Sequence, residues 1–323
     1  MRFLSSAPGK VILIGEYAVL CGKPAIAFAV NRRAQSEVNF INGDDCFLET
    51  KMNRSNINLF KTGENSGIRL IDIVTKKSKY YKSQAWKGKI DSSELYYHDN
   101  KLGLGSSSAT FLSWSSIFLK DISLEEQISI YKIFQNNLGS GIDLAVSKFG
   151  GTLVYRNSQE SGVDCDPVNL PSGIDFSIVY TGIPISTKSY IMSFNKWRIN
   201  NKKKYNEIIL SLGDIIENCY LSIKEDSPKD FLKAISFYNS KLDILGSEIG
   251  INIISKEHKE ILNTAKKYNL DYKVSGSGGG DIGIVFSDDT EVLSKFNIEI
   301  ERKYKIIDVE IDSNGLNYEE FYE

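Results

Sequence analysis

A chain of 323 residues with 41% hydrophobic and 25% charged side chains carries enough apolar material for two domains or one large one, which excludes a disordered chain. Lys and Arg number 39 against 41 Asp and Glu, a net charge of -2, so the basic excess of a nucleic-acid binder is missing and no nucleic-acid partner is expected. Four separated cysteines (Cys21, Cys46, Cys165, Cys219) form no CxxC pair, and no run approaches the roughly 18 apolar residues of a membrane span, so the chain reads as a cytoplasmic protein with reduced thiols and no membrane partner.

In chain order, KVILIGEYAVL and AIAFAV are β-rich apolar runs split by CGKP, a hairpin whose Gly22 and Pro24 signal the turn. Pro8, Lys10 and Glu16 interrupt any signal peptide there. Strands AQSEVNFI and CFLET follow, with NGDD between them. From Ile68 to Tyr80 apolar residues recur at helical spacing, and AWKGKIDSSEL is strand-like. SATFLSWSSIFL is apolar on most sides, a buried helix. SLEEQISIYKIFQNNLG is a second helix, with Ser123 as cap, Glu126 three residues on, and Gly139 as its end. GTLVYR and DFSIVYTG are strands, and the stretch from Lys188 to Ile223 is mainly helical, its NKKKY run a solvated face. ISKEHKEILNTAKKYN is an amphipathic helix, DYKVSGSGGGDIGIVF gives strand, glycine loop and strand, and YKIIDVEID is a late strand. Strands, then helices, then strands again make an α+β chain, with a boundary near Asp164 to Pro171 and domains expected at 1–165 and 166–323. His98 and His258 match no ligand spacing and read as surface residues.

Chemistry enters with KLGLGSSSA at 101–109. Glycine lets backbone amides approach an anion, a helix starting just after adds its positive end, and serine hydroxyls can donate to phosphoryl oxygens or ligate magnesium. The loop lacks the Lys-Ser/Thr of a Walker A motif, and a Gly/Ser turn that merely caps a core helix competes with the phosphate reading. Two further segments favour phosphate: APGKVILIGEYAVL sets Lys10 after a Pro-Gly turn, and VSGSGGGD packs four glycines into five positions, Gly276 to Gly280, broken by Ser277. So many glycines point to some close backbone approach.

The three segments, in this order, resemble the three motifs of the GHMP kinases, the superfamily of galactokinase, homoserine kinase, mevalonate kinase and phosphomevalonate kinase. The resemblance spans nearly the whole chain. It implies a ribosomal-protein-S5-like N-terminal domain, a ferredoxin-like C-terminal domain, ATP between them with Mg2+, and a small-molecule acceptor in a monomer or homodimer. GEY in the first motif, Lys101 ahead of GLGSSS, and Asp281 after GGG resemble the phosphomevalonate kinases, whereas SGIDLAVSKFGG resembles the mevalonate kinases. The resemblance makes Asp143 of that acid motif the group that orients or deprotonates the nucleophile, against a helix cap as the plain alternative, and Lys10 its cationic partner. It assigns Lys101, Gly103, Leu104, Gly105, Ser106, Ser107 and Ser108 to ATP phosphates, with Ser107 at the metal. Ser275, Gly276, Ser277, Gly278, Gly279, Gly280 and Asp281 form the third-motif loop. Glu16, Tyr17, Ser140, Gly141 and Lys188 fall to the acceptor, with Arg32 and Arg198 as further cations; Glu16 is equally readable as structural. PSGIDF repeats the acid pattern, but its Asp175 reads as a turn residue. The implied activity is ATP-dependent phosphorylation of 5-phosphomevalonate, with mevalonate kinase, a phosphorylating decarboxylase and a non-catalytic sensor as alternatives.

Overall fold

Alternating buried and half-buried side chains over RFLSSAPGKVILI build β1 (Arg2–Ile14), and after a 3-10 turn at Ala18–Cys21 the chain returns as β2 (Ala25–Ile41). The computed structural model describes residues 1–52, 54–158 and 162–322. β3 (Asp45–Lys51), β4 (Ser55–Lys61), α1 (Arg69–Thr75), β5 (Ala85–Asp91), β6 (Tyr96–Tyr97) and β7 (Asn100–Lys101) follow. Next come α2 (Ser106–Phe118), α3 (Leu124–Phe134), α4 (Ile142–Phe149), β8 (Thr152–Ser158), β9 (Gly162–Val168) and β10 (Asp175–Tyr180). The chain closes with α5 (Thr187–Asn200), α6 (Lys202–Lys224), α7 (Pro228–Ile249), α8 (Lys256–Lys267), β11 (Asp271–Ser275), β12 (Ile282–Ser287), α9 (Thr290–Ile300), β13 (Lys305–Ile307) and β14 (Asn317–Phe321).

The residues group into two units. The first holds Met1–Lys10, Ala29–Gly151 and Ile311–Glu323; the second holds Val11–Phe28 and Thr152–Glu310. Segments alternate along the chain because β1 and β2 each contribute residues to both.

In the first unit the strand order is β14-β1-β2-β5-β3-β4, and β3 runs parallel to β5 although β4 and α1 lie between them in sequence. The core sits where α2 meets this sheet. Trp86 of β5 meets Trp114 of α2 edge-on at 5.3 Å and Phe118 at 5.5 Å. Gly88 makes room for them, since a Cβ there would lie 2.7 Å from the Trp114 ring. α2 is buried on nearly every side, as its apolar sequence predicts.

In the second unit β11-β12-β10-β13 form an antiparallel sheet reached in the order β-α-β-β-α-β, the ferredoxin-like split arrangement. α7 and α8 pack on β11, and α9 on β10 and β12. β8 pairs with β9 and with Ala25–Phe28 of β2.

Several elements differ from the sequence reading. The hairpin's AVL is 3-10 helix, because Gly15 and a positive φ at Tyr17 end the strand. The helix from Ile68 stops at Thr75 and gives way to turns. α3 ends at Phe134 rather than Gly139, since Asn136 and Asn137 take left-handed conformations. Asp175 is the first residue of β10, its carboxylate accepting from Thr290 Oγ1, and is not a turn residue.

Candidate active site

In the first unit, the Pro-Gly-Lys stretch, expected as a turn, runs inside β1 and is fastened to the serine loop by Lys10 N–H donating to Leu104 O at 2.8 Å. Gly9 tolerates no side chain there, as a Cβ would lie 2.7 Å from the same carbonyl. Gly103 and Gly105 have φ of 78° and 77°, which glycine adopts without strain. A Cβ on Gly105 would stand 3.1 Å from both Cγ and Cε of Lys10, so the lysine stem lies along bare backbone. Ser108 Oγ donates to Gly105 O at 2.8 Å, and Lys101 Nζ donates to Ser107 Oγ at 3.5 Å. No side chain caps α2 and no acid stands in its first turn, so the helix presents its leading amides and positive end to an anion.

α4 starts at Gly141, φ 96°, and carries Asp143 in its first turn. Asp143 Oδ1 accepts from Leu144 N–H at 3.1 Å, and Ser140 Oγ accepts from Ile142 N–H at 3.4 Å. Burial pushes the Asp143 carboxyl above the usual aspartate range, while the Lys10 charge and the backbone amides pull the other way. Burial also raises the Tyr131 phenol, with the Asp143 charge adding to it. The unit thus brings together Lys10, Lys101, the loop from Gly103 to Ser108, and Asp143 within electrostatic reach of Lys10. Such a set can hold a polyphosphate and, beside it, a carboxylate able to orient or accept a proton.

In the second unit, the third-motif loop is shaped by its own surroundings. A Cβ on Gly278 would lie 2.5 Å from Ile253 O, one on Gly279 2.0 Å from the Tyr190 hydroxyl, and one on Gly280 2.3 Å from Ile183 O. The close approach that the glycines signalled is therefore, at these three, to other segments of the same unit. Only Gly276 faces open space among the four. Glu16 is buried beneath this loop: its Oε1 accepts from Gly276 N–H at 3.2 Å and from the ammonium of Lys273, which is itself wholly buried. Burial holds the Lys273 pKa down and Glu16 opposes that. Tyr17 hydroxyl donates to Ser277 O at 2.6 Å, and Tyr238 hydroxyl donates to Glu16 O at 2.7 Å. Ser275 Oγ accepts from Ile12 N–H and donates to Ile12 O. Asp281 N–H donates to Ile183 O at 2.7 Å, and its Oδ1 accepts from Ile185 N–H at 3.3 Å. Lys188 is exposed on α5, and Arg32 donates to Glu94 O in the first unit.

His258 is a correction: it is fully buried on α8, not at the surface, with both ring nitrogens hydrogen-bonded. His98 is exposed. Lys273, Tyr238 and Tyr272 also escaped the sequence reading. The signal for His258 was present, since 258, 261 and 265 share one helical face with Ile261 and Ala265.

No known family profile matches the chain. It is 28% identical over 293 residues to the phosphomevalonate kinase of Saccharolobus solfataricus, covering 85% of this chain and 87% of that protein. It is 27% identical over 303 residues to the mevalonate kinase of Thermococcus sibiricus, covering 87% of each. Its fold matches that of Streptococcus pneumoniae phosphomevalonate kinase, solved with phosphomevalonate and AMPPNP, with a TM-score of 0.80 at 15% identity over 95% of this chain and 99% of that one. The chain thus shares the fold of GHMP-type kinases and is similar in sequence to phosphomevalonate and mevalonate kinases over most of its length.

Proposed function

We propose that the chain transfers the γ-phosphoryl group of ATP to the phosphate of 5-phosphomevalonate, giving 5-diphosphomevalonate and ADP in the cytoplasm. The observation that carries the reading is the gathering, in one unit, of the uncapped α2 N-terminus, the Lys10 stem along Gly105, and Asp143 under the influence of the Lys10 charge. An acceptor oxygen forms its bond to the γ-phosphorus as the bridging bond to ADP breaks. Lys10 and the α2 amides stabilise charge on the phosphoryl oxygens, and Asp143 orients the acceptor and takes its proton where one is present. Among the described residues no group of three His, Cys, Asp or Glu is placed to hold a metal. Magnesium would arrive on the nucleotide, with the Ser107 hydroxyl as a protein ligand, and it would supply charge neutralisation.

The choice of acceptor draws support from GEY, Lys101 before GLGSSS and GGGD, and from the phosphomevalonate kinases among the relatives. A mevalonate hydroxyl as acceptor is favoured by SGIDLAVSKFGG and by the mevalonate kinases among them. The deciding experiment is a coupled ADP-release assay with ATP and magnesium, run in parallel on the two acceptors. Faster turnover with 5-phosphomevalonate is expected; faster turnover with mevalonate moves the reading to mevalonate kinase, and silence with both overturns it.

A further inference from the structure

The third-motif loop ends on a chain of buried hydrogen bonds that phosphoryl transfer does not itself require. His258, three residues beyond the Ser255 cap of α8, is 0% exposed. Its Nε2 lies 2.9 Å from Gly280 O and its Nδ1 2.5 Å from the Tyr272 hydroxyl. A carbonyl oxygen only accepts, so the ring proton is on Nε2; Nδ1 is then the acceptor, and Tyr272 must donate. Tyr272 reaches this place because β12 has Gly283 beside it, where a Cβ would lie 2.0 Å from the phenol oxygen. Beyond Gly280 the next residue, Asp281, holds a φ of 55° and bonds Ile183 and Ile185 through its amide and carboxylate.

A leucine at 258 would complete the apolar face of α8 but would take from the buried Tyr272 hydroxyl and the Gly280 carbonyl the bonds the ring makes to them, and a buried imidazole and phenol are tolerable only when each polar atom is paired. What the polar pair provides is direction: one bond fixes the Gly280 carbonyl, and with it the plane of the 280–281 peptide. We propose that His258 is a positioning residue for the third-motif loop, holding the Gly280 carbonyl through Nε2–H while Tyr272 locks the tautomer that makes this bond. Its catalytic consequence rests on the kinase reading above.

The test uses the full chain with three substitutions, His258→Gln, His258→Leu and Tyr272→Phe. Glutamine offers an amide N–H near the Nε2 position and leucine offers none. At a temperature where melting curves show each variant folded, His258→Leu is expected to lose about tenfold or more in kcat/KM while His258→Gln stays within about threefold of the parent. Equal losses in the two, or no loss in a folded His258→Leu, overturn the proposal. If His258→Leu does not fold, Tyr272→Phe decides: imidazole 15N resonances that show only the Nε2–H form in the parent are expected to show both tautomers, with a fall in kcat/KM. Unchanged resonances and kinetics in that variant overturn the lock. Should the parent turn over neither acceptor, the kinase reading fails separately, and amide exchange at Asp281 judges the positioning. Faster exchange in His258→Gln or Tyr272→Phe than in the parent supports it, and unchanged exchange in both overturns it.

Discussion

Asp143 is the residue on which the proposed chemistry turns, and its surroundings set opposing demands. Burial disfavours its charge, while Lys10 and the first amides of α4 restore it. Asp143→Asn keeps the shape and removes the proton acceptor, so turnover is expected to fall by ~10^2 to 10^4-fold with nucleotide binding retained. Turnover equal to the parent's in the initial-rate assay would remove Asp143 from its role. The opposing influences of burial and the Lys10 charge also set a pH dependence. A raised carboxyl pKa moves the acid limb of kcat/KM above that of an ordinary aspartate, and Lys10→Met, which removes the lowering influence, is expected to move the limb of its residual activity further up. A limb displaced downward would contradict the pairing. His258 supplies a third residue-scale expectation. Burial, the largest influence, with Lys273 adding to it, pushes its pKa down to about 4, against Gly280 O and Glu257 acting upward. A base depressed in the folded state costs stability as pH falls through its unfolded value near 6.5, and the full cost, about 3 kcal/mol, is present only below the folded value. Urea midpoints of the parent should therefore fall more between pH 7 and pH 4 than those of His258→Gln; parallel curves would refute this.

At the scale of elements, the two glycine loops make different demands. The α2 loop needs bare backbone for Lys10: Gly105→Ala adds both a strained left-handed alanine and a Cβ 3.1 Å from the lysine stem. It is expected to cost about 1–2 kcal/mol in stability and more in turnover than in melting temperature, measured side by side. The third-motif loop needs its glycines chiefly for Ile183, Tyr190 and Ile253, and it hangs on the buried Glu16–Lys273 pair. Lys273→Met leaves Glu16 as an uncompensated buried charge, with Oε2 already lacking a hydrogen-bond partner, and is expected to destabilise by about 3–5 kcal/mol in denaturant unfolding. Adding Glu16→Gln should recover part of that loss; a double variant as unstable as the single one would mean that the pair acts by packing alone. These contrasts explain what the sequence disclosed. Loops of glycine and serine, the Ser123 capping box and the apolar α2 announce themselves through local chemistry that few other structures require. Lys273 sits between Tyr272 and Val274 in a strand buried along most of its length, so alternation gave no hint of which side its ammonium would take. β4, β9, β14, α7 and α9 were passed over for a related reason. β4 and β14 are edge strands with mixed polar patterns, and their pairing is decided by partners far away in sequence.

For the whole molecule the consequence is that the two chain ends belong to the same unit. A linear reading offers a single cut near residue 165, whereas Ile311–Glu323 group with Met1–Lys10 and Ala29–Gly151. The grouping has specific causes. β14 pairs antiparallel with Arg2–Ser6. Arg33 gathers the returning segment, bonding the Asp312 carboxylate, the Asn314 and Gly315 carbonyls, and Ser6 through both its hydroxyl and its carbonyl. Gly151 N–H donates to Asp312 O at 2.7 Å, and Asp312 N–H donates to Ala29 O at 3.0 Å. Gly315 lies so close to α4's end that a Cβ would stand 2.1 Å from Lys148 O, and Leu316 N–H bonds that same carbonyl. Since α4 carries Asp143, the C-terminal segment braces the helix that supplies the proposed proton acceptor. Removing residues 311–323 therefore leaves Arg33 without its carboxylate in a half-buried place, exposes the edge of β1 and frees the end of α4, while every residue of the second unit remains. The expected outcome is a melting temperature lower by several degrees, with new sites of limited proteolysis falling within 29–151 rather than 152–310. Turnover should fall more steeply than the folded fraction because α4 is loosened; new cleavage confined to 152–310 would show that the ends do not stabilise the unit to which their contacts assign them.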